Sequence, residues 1–147
     1  MDALKLTALD EDDLQVISTH LQDAVMRASD MSYSASEKRF TAILNRFDWQ
    51  GAQTPKRDKF QRGHTGLDFG AVLGVRTRNI QNQSDDVILS LLSISFRAGE
   101  APSGKITLIF AGGGEIELDV ECIEARMSDL GSAWATQHRP EHDFEDD

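Results

Sequence analysis

The chain has 147 residues, of which 39% are hydrophobic, and a formal net charge of −10 at pH 7. This length and composition suit one compact domain, and no apolar run approaches the roughly 18 residues that a membrane-spanning helix needs. The acidic balance argues against general nucleic-acid binding, because phosphates would be repelled over much of the surface. The N-terminal residues lack the pattern of a signal peptide, so we expect a soluble, cytoplasmic protein with no membrane partner.

The charge is sorted along the chain. Residues 1–26 carry a net charge of −5, residues 27–78 carry +5, and residues 79–147 carry −10. Ten of the fifteen basic residues therefore lie in the middle stretch. Such a distribution favours a local recognition surface over a uniformly repulsive one.

The N-terminal segment predicts a short strand followed by a helix. Leu4, Leu6 and Ala8 alternate, and Asp10 is placed to cap a helix that begins at Glu11. The apolar stripe of this helix is Leu14, Ile17, Leu21 and Ala24, and its predicted solvent face is Gln15, Ser18, Gln22 and Asp23. We therefore expect the helix to pack on a sheet.

The middle of the chain predicts strands separated by polar connections. A hairpin joins residues 25–33 to residues 39–49, and residues 51–66 form a long polar loop. Residues 69–80 form a strand from which Arg76 and Arg78 project on one face, about 7 Å apart. Residues 87–96 are apolar on both faces, which indicates a central strand.

The clearest local signal is a hairpin that joins residues 105–110 to residues 115–122. The apolar parities pair Phe110 with Ile116 and Leu108 with Leu118, which leaves an acidic ladder on the outer face. The glycines at 112–114 precede a strand and not a helix. They are therefore typical of a turn and not of a phosphate-binding loop, and no cofactor is predicted.

Together these elements predict an α+β fold. Residues 1–135 form a single domain, an antiparallel sheet of six or seven strands with an N-terminal helix, and residues 136–147 form an acidic, flexible tail. Consecutive hairpins after one early helix fit a pleckstrin-homology-like barrel and fit an open sheet equally well.

Three segments resemble a family from alphaproteobacteria catalogued as domain of unknown function 2948. They are LKLTALDEDDL, VMRASDMSYSASEKRFTAILNRFDW and GGGEIELDVECIEARMSDLGSAW, followed by RPEH. The resemblance spans nearly the whole chain and implies a bacterial cytoplasmic protein. It implies no activity and no catalytic residues.

The best candidate site is the basic loop at residues 54–64. Its cations and the two strand arginines could hold an anion, and the predicted binding residues are Lys56, Arg57, Lys59, Arg62, Arg76 and Arg78. The alternative is a solvated loop whose charge offsets an acidic surface nearby.

Two weaker constellations involve histidines. His64 and Asp68 could form an acid/base pair, although the surrounding glycines favour a flexible turn. His138 and His142 have the spacing of metal ligands on a helix, but Pro140 interrupts that helix, so no functional metal site is predicted.

These observations lead to three functional hypotheses. The first is a non-catalytic binding or adaptor module that engages an acidic protein or a phosphorylated small molecule. The second is a small enzyme that uses His64 and Asp68. The third is a homo-oligomeric structural protein that associates through residues 87–96 or through another sheet edge.

Overall fold

The computed structural model describes residues 4–47, 62–80 and 87–130. These residues form one α-helix, α1 (Glu11–His20), and ten strands. The strands are β1 (Lys5–Ala8), β2 (Val25–Arg27), β3 (Met31–Ser34), β4 (Arg39–Phe47), β5 (Arg62–Phe69), β6 (Val72–Arg78), β7 (Ile88–Ala98), β8 (Gly104–Phe110), β9 (Glu115–Val120) and β10 (Ala125–Asp129). Residues 136–147 lie outside the described residues, so the flexible tail stays a prediction.

All the strands belong to one antiparallel sheet. Its order is β1-β10-β5-β4-β2-β7-β8-β9-β6, and β3 pairs with β4. The path ends at β1 and β6, so the sheet is open and a closed barrel is not confirmed. The described residues hold ten strands where six or seven were predicted. A 3-10 turn at Ala28–Asp30 divides one predicted strand into β2 and β3, while β5 and β10 were not predicted.

A long two-stranded ribbon bends across the molecule. β5 continues into β6, and β9 continues into β10, with β5 paired to β10 and β6 paired to β9. Hydrogen bonds continue through the bend, where the Gly70 amide donates to the Glu124 carbonyl at 2.8 Å and the Glu121 amide donates to the Ala71 carbonyl at 2.9 Å. The bend therefore folds the sheet over its own core without breaking the ladder.

Helix α1 packs on the inner face of the sheet as predicted. The Asp13 amide donates to Asp10 Oδ1 at 2.8 Å, and Leu14, Ile17 and Leu21 are fully buried. Among the described residues, no helix is long and apolar enough to cross a lipid bilayer.

The predicted solvent face of α1 is confirmed at Gln15, Gln22 and Asp23, which are exposed, and is wrong at Ser18. Ser18 is buried and its hydroxyl accepts from the Ile94 amide at 2.9 Å, while Gln15 Nε2 donates to the Ile94 carbonyl at 3.0 Å. β2 is only three residues long and pairs with residues 88–90 of β7. The helix therefore supplies the hydrogen bonds that the short β2 cannot reach.

β7 keeps its apolar side chains on the core by means of a bulge. Its register with β8 shifts between Leu91 and Ser93, so Leu91 and Ile94 are both fully buried while Leu92 is exposed. Apolar side chains were predicted on both faces of this strand. Those that are buried lie on one face, and the bulge adds one residue to the strand. β7 lies between β2 and β8 in the sheet, with β2 paired to residues 88–90 and β8 to residues 91–98, so it is not a terminal strand.

The β8–β9 hairpin is confirmed with a different register. Leu108 pairs with Ile116 and Ile106 with Leu118, two residues away from the predicted pairing. The reason is a tight connection: the Phe110 amide donates to the Gly114 carbonyl, and Gly112 and Gly113 take positive φ values of 86° and 96°. A shift of two residues preserves which side chains face the core.

A buried ion pair joins β4, β5 and β10, and the residue that precedes β1, at one end of the core. The Arg46 guanidinium donates from Nε and Nη2 to Asp129 Oδ1 and Oδ2, at 2.9 and 2.8 Å. Thr65 Oγ1 donates to Oδ1 at 2.7 Å, and the Leu4 amide donates to Oδ2 at 2.7 Å. The two charged side chains are 1% and 0% exposed. Every oxygen of this carboxylate is therefore hydrogen-bonded, which is the condition under which a buried ion pair is tolerated.

We expect Asp129→Asn to lower the free energy of unfolding by about 3–5 kcal/mol, because Arg46 would be left as a buried charge without its counterion. Urea denaturation followed by circular dichroism measures the change. The matched control is Asp68→Asn, which breaks the Arg39–Asp68 pair, whose side chains are 34% and 32% exposed. That pair should contribute less than about 1 kcal/mol. Equal losses in the two variants would contradict this account.

Stability should fall in two steps as the pH decreases. Burial, then the charge of Arg46, lowers the pKa of His20, so its contribution is complete above about pH 6.5 and is lost as the pH falls through the folded-state pKa. Burial alone would raise the pKa of Asp129, but hydrogen bonds from Arg46, Leu4 and Thr65 lower it, so its contribution is lost below about pH 3.9.

The measurement is the urea midpoint as a function of pH. His20→Gln should remove the step near neutral pH and keep the acid step. If the step at higher pH is unchanged in that variant, a group other than His20 is responsible for it.

Candidate functional site

The solvent-facing side of β6, β9, β8 and β7, here called the outer sheet face, carries a cluster of cations and carboxylates. Cross-strand pairing places its side chains in rows. One row is Arg97, Lys105, Asp119 and Gly74, and the next is Ser95, Thr107, Glu117 and Arg76. Arg78 lies beyond them, opposite Glu115.

Two cations of this face share two carboxylates. Lys105 Nζ lies 3.5 Å from Asp119 Oδ1 and 3.8 Å from Glu117 Oε1. Arg76 Nη2 lies 3.5 Å from Asp119 Oδ2, and Arg76 Nε lies 3.7 Å from Glu117 Oε1. All four distances exceed the roughly 2.7–2.9 Å of a charge-assisted hydrogen bond.

The other two cations, Arg78 and Arg97, have no such counterion among the described residues. Within the described ranges, no carboxylate lies within 4.0 Å of the guanidinium of Arg78 or Arg97. Arg97 is moreover directly opposite Lys105 across the β7–β8 ladder. Like charges directly opposite one another destabilise a sheet, so this pairing has a local energetic cost.

These charges surround a groove of about 540 Å³. Its charged lining consists of the four cations Arg76, Arg78, Arg97 and Lys105 and the two carboxylates Glu117 and Asp119. Leu73, which is 53% exposed, and Gly104 also line it. A Cβ on Gly104 would lie 2.5 Å from the Arg97 carbonyl oxygen and 2.6 Å from the Phe96 ring, so the close approach of β7 and β8 here requires glycine.

Of the six predicted binding residues, the structure describes Arg76, Arg78 and the backbone of Arg62. Arg76 and Arg78 are exposed on β6 and line the groove, as expected for strand arginines on one face. Lys56, Arg57 and Lys59 lie outside the described residues, as does the side chain of Arg62. The backbone of Arg62 begins β5, so residues 62–66 of the predicted loop are in fact strand. The length of β5, about 23 Å, separates Arg62 from the bend that leads into β6.

Sequence reasoning did not find Arg97 and Lys105. The signal was nevertheless present, because these residues flank the turn residues Gly99 and Ser103 at equal distances from its centre. The Gly99 amide donates to the Ser103 carbonyl and closes that turn. Recognition of a hairpin there would have placed Arg97 opposite Lys105.

The structure does not bring His64 and Asp68 together. Both are on the extended strand β5, where four residues span roughly 13 Å. Asp68 instead accepts a hydrogen bond from Arg39 Nη1 at 2.6 Å. His64 lines a second cavity of about 360 Å³ together with Arg27 and Asn45. The predicted acid/base geometry therefore has no counterpart in β5.

Metal-binding residues are not grouped in the described part of the chain, where no cluster of three or more His, Cys, Asp or Glu side chains could hold an ion. His138 and His142 lie outside the described residues.

Comparison with known proteins identifies the family. No curated protein and no solved structure matches the chain. Residues 4–142, nearly the whole chain, match the family described as "Protein of unknown function (DUF2948)". The chain therefore belongs to the DUF2948 family.

Proposed function

We propose that this protein is a non-catalytic binding module whose groove on the outer sheet face takes an anionic group of an acidic protein or of a phosphorylated small molecule. The observation that carries the proposal is the pairing of Arg97 directly opposite Lys105, with Arg97 lacking a carboxylate within 4.0 Å among the described residues. A bound anion between the two side chains would turn this repulsion into attraction. We also infer that it acts in the bacterial cytoplasm.

The charge balance of the groove supports the proposal. Four cations and two carboxylates line a groove in a protein whose formal net charge is −10. A positive site on an acidic protein attracts anions locally while the remaining surface repels most polyanions, which makes binding selective. The site is built on paired strands, so an anion would find its donors already in place.

Two cationic side chains of the groove could also change partners without any unfolding of the sheet. Arg76 and Lys105 make only long contacts with Glu117 and Asp119. Either cation could turn toward a ligand. The cation that stays would then remain the counterion of Glu117 and Asp119. The basic loop residues Lys56, Arg57, Lys59 and Arg62 form a second predicted surface that can be tested separately.

We expect the groove variant Arg78→Gln with Arg97→Gln to bind anions at least about tenfold more weakly, because a hydrogen bond to a charged group contributes about 1.5–3 kcal/mol. Titration with sodium pyrophosphate and with a glutamate-rich peptide at low salt, followed by amide chemical shifts, measures the affinities. Binding to the native protein should weaken as salt increases.

The matched control removes two cations from the other half of the sheet, Lys5→Gln with Arg126→Gln. Both residues are exposed, on β1 and β10. The control should bind like the native protein, and all variants should unfold at similar urea concentrations. If both double variants lost the same affinity, the effect would come from net charge alone, and a binding site in the groove would be contradicted. Loss only in a variant with glutamine at 56, 57, 59 and 62 would move the site to the basic loop.

A further inference from the structure

The outer edge of β6 offers backbone hydrogen-bonding groups next to the groove. β6 is a terminal strand that pairs only with β9 among the described strands. Its first residue is covered, because the Val72 amide donates to the Lys38 carbonyl at 2.8 Å and Tyr33 Oη donates to the Val72 carbonyl at 2.9 Å. From Leu73 to Arg78, no described residue other than those of β9 hydrogen-bonds to this backbone. The edge that the described residues leave uncovered is thus six residues long.

The side chains along this edge restrict what could pair with it. Arg76 and Arg78 project on the outer sheet face, about 7 Å apart, and Arg76 is 61% exposed. A second copy of the same edge paired about Thr77, the centre of the arginine pair, would set Arg76 opposite Arg78, which disfavours that self-pairing. A strand with acidic side chains at alternate positions would instead place a carboxylate beside each guanidinium.

The opposite face of β6 determines which residues fit between the acidic positions of a paired strand. Val75 is half-buried against the core and Thr77 is exposed. Because side chains alternate along a strand, the residues between the acidic ones would lie beside Val75 and Thr77. Small or β-branched apolar residues suit those positions.

We propose that β6 binds an extended acidic segment of a partner protein by strand addition, in which the backbone of the segment pairs with residues 73–78 and its alternate carboxylates bind Arg76 and Arg78. This inference rests on the proposed function, because Arg76 and Arg78 are two of the four cations that line the groove, and it specifies an acidic protein segment as the ligand. Main-chain hydrogen bonds would supply affinity and the two arginines would supply selectivity, as in other complexes formed at a sheet edge.

The test uses the full chain and three synthetic peptides that alternate glutamate and valine and span six to eight residues, roughly the length of the edge. One is unmodified, one is N-methylated at its glutamates, and one is N-methylated at its valines. Successive amides of a strand point to opposite edges, so only one methylated peptide loses the donors that face β6. We expect that peptide to bind at least about tenfold more weakly than the other two.

The second readout is hydrogen exchange of the protein amides at residues 73–78. The unmodified peptide should slow exchange of the outward-facing amides there and leave those of β1 unchanged. Equal binding by both methylated peptides, with loss in the groove variant, would overturn strand addition and leave the anion groove intact. Binding of pyrophosphate without binding of any peptide would do the same. If neither pyrophosphate nor peptide binds, the proposed function itself fails.

Discussion

The bent ribbon of β5–β6 and β9–β10 is the constraint on which the rest of the structure depends. Its hydrogen bonds continue through the bend, so one pair of strands contributes to both halves of the sheet. At one end, β10 carries Asp129 into the core beside Arg46. At the other end, β9 places Glu117 opposite Arg76. The stability of the core and the composition of the groove therefore follow from the same ladder.

The two ends of this ribbon use the same chemistry with opposite consequences. At the buried end, the Asp129 carboxylate receives four hydrogen bonds and the pair is closed to water. At the exposed end, Lys105 and Arg76 share two carboxylates at 3.5–3.8 Å. Burial makes the first arrangement essential for stability, because loss of one partner would leave the other charge buried without a counterion. In the second arrangement the two cations are 61% and 40% exposed, so their contacts contribute little to stability and each cation is accessible to a ligand.

Much of the fold could be predicted from local patterns. The cap at Asp10, the buried stripe of α1 and the faces of the β8–β9 hairpin all follow from periodicity. The hairpin register could not be predicted in the same way, because a two-residue shift leaves every side chain on its original face. Only the geometry of the turn at residues 111–113 distinguishes the two registers.

Non-local features were harder to predict. β5 carries Gly63, His64 and Gly66, which weaken its strand signal although Thr65, Leu67 and Phe69 alternate toward the core. Arg46 and Asp129 are 83 residues apart, so no local sequence pattern predicts their pairing. The arginines of β6 could be predicted as a pair on one face. Their placement beside Arg97 and Lys105 depends on the order of the strands, which the sequence pattern does not fix.

The central claim is that cations of the outer sheet face bind an anion, and the guanidinium groups themselves can report on it. The most direct measurement follows the Nε–Hε resonances of Arg78 and Arg97 by NMR as sodium pyrophosphate is added, with Arg126 as the internal reference. We expect the resonances of Arg78 and Arg97 to shift and become protected from solvent exchange at concentrations that leave Arg126 unchanged. Identical responses from all three arginines, or none from Arg78 and Arg97, would contradict the central claim.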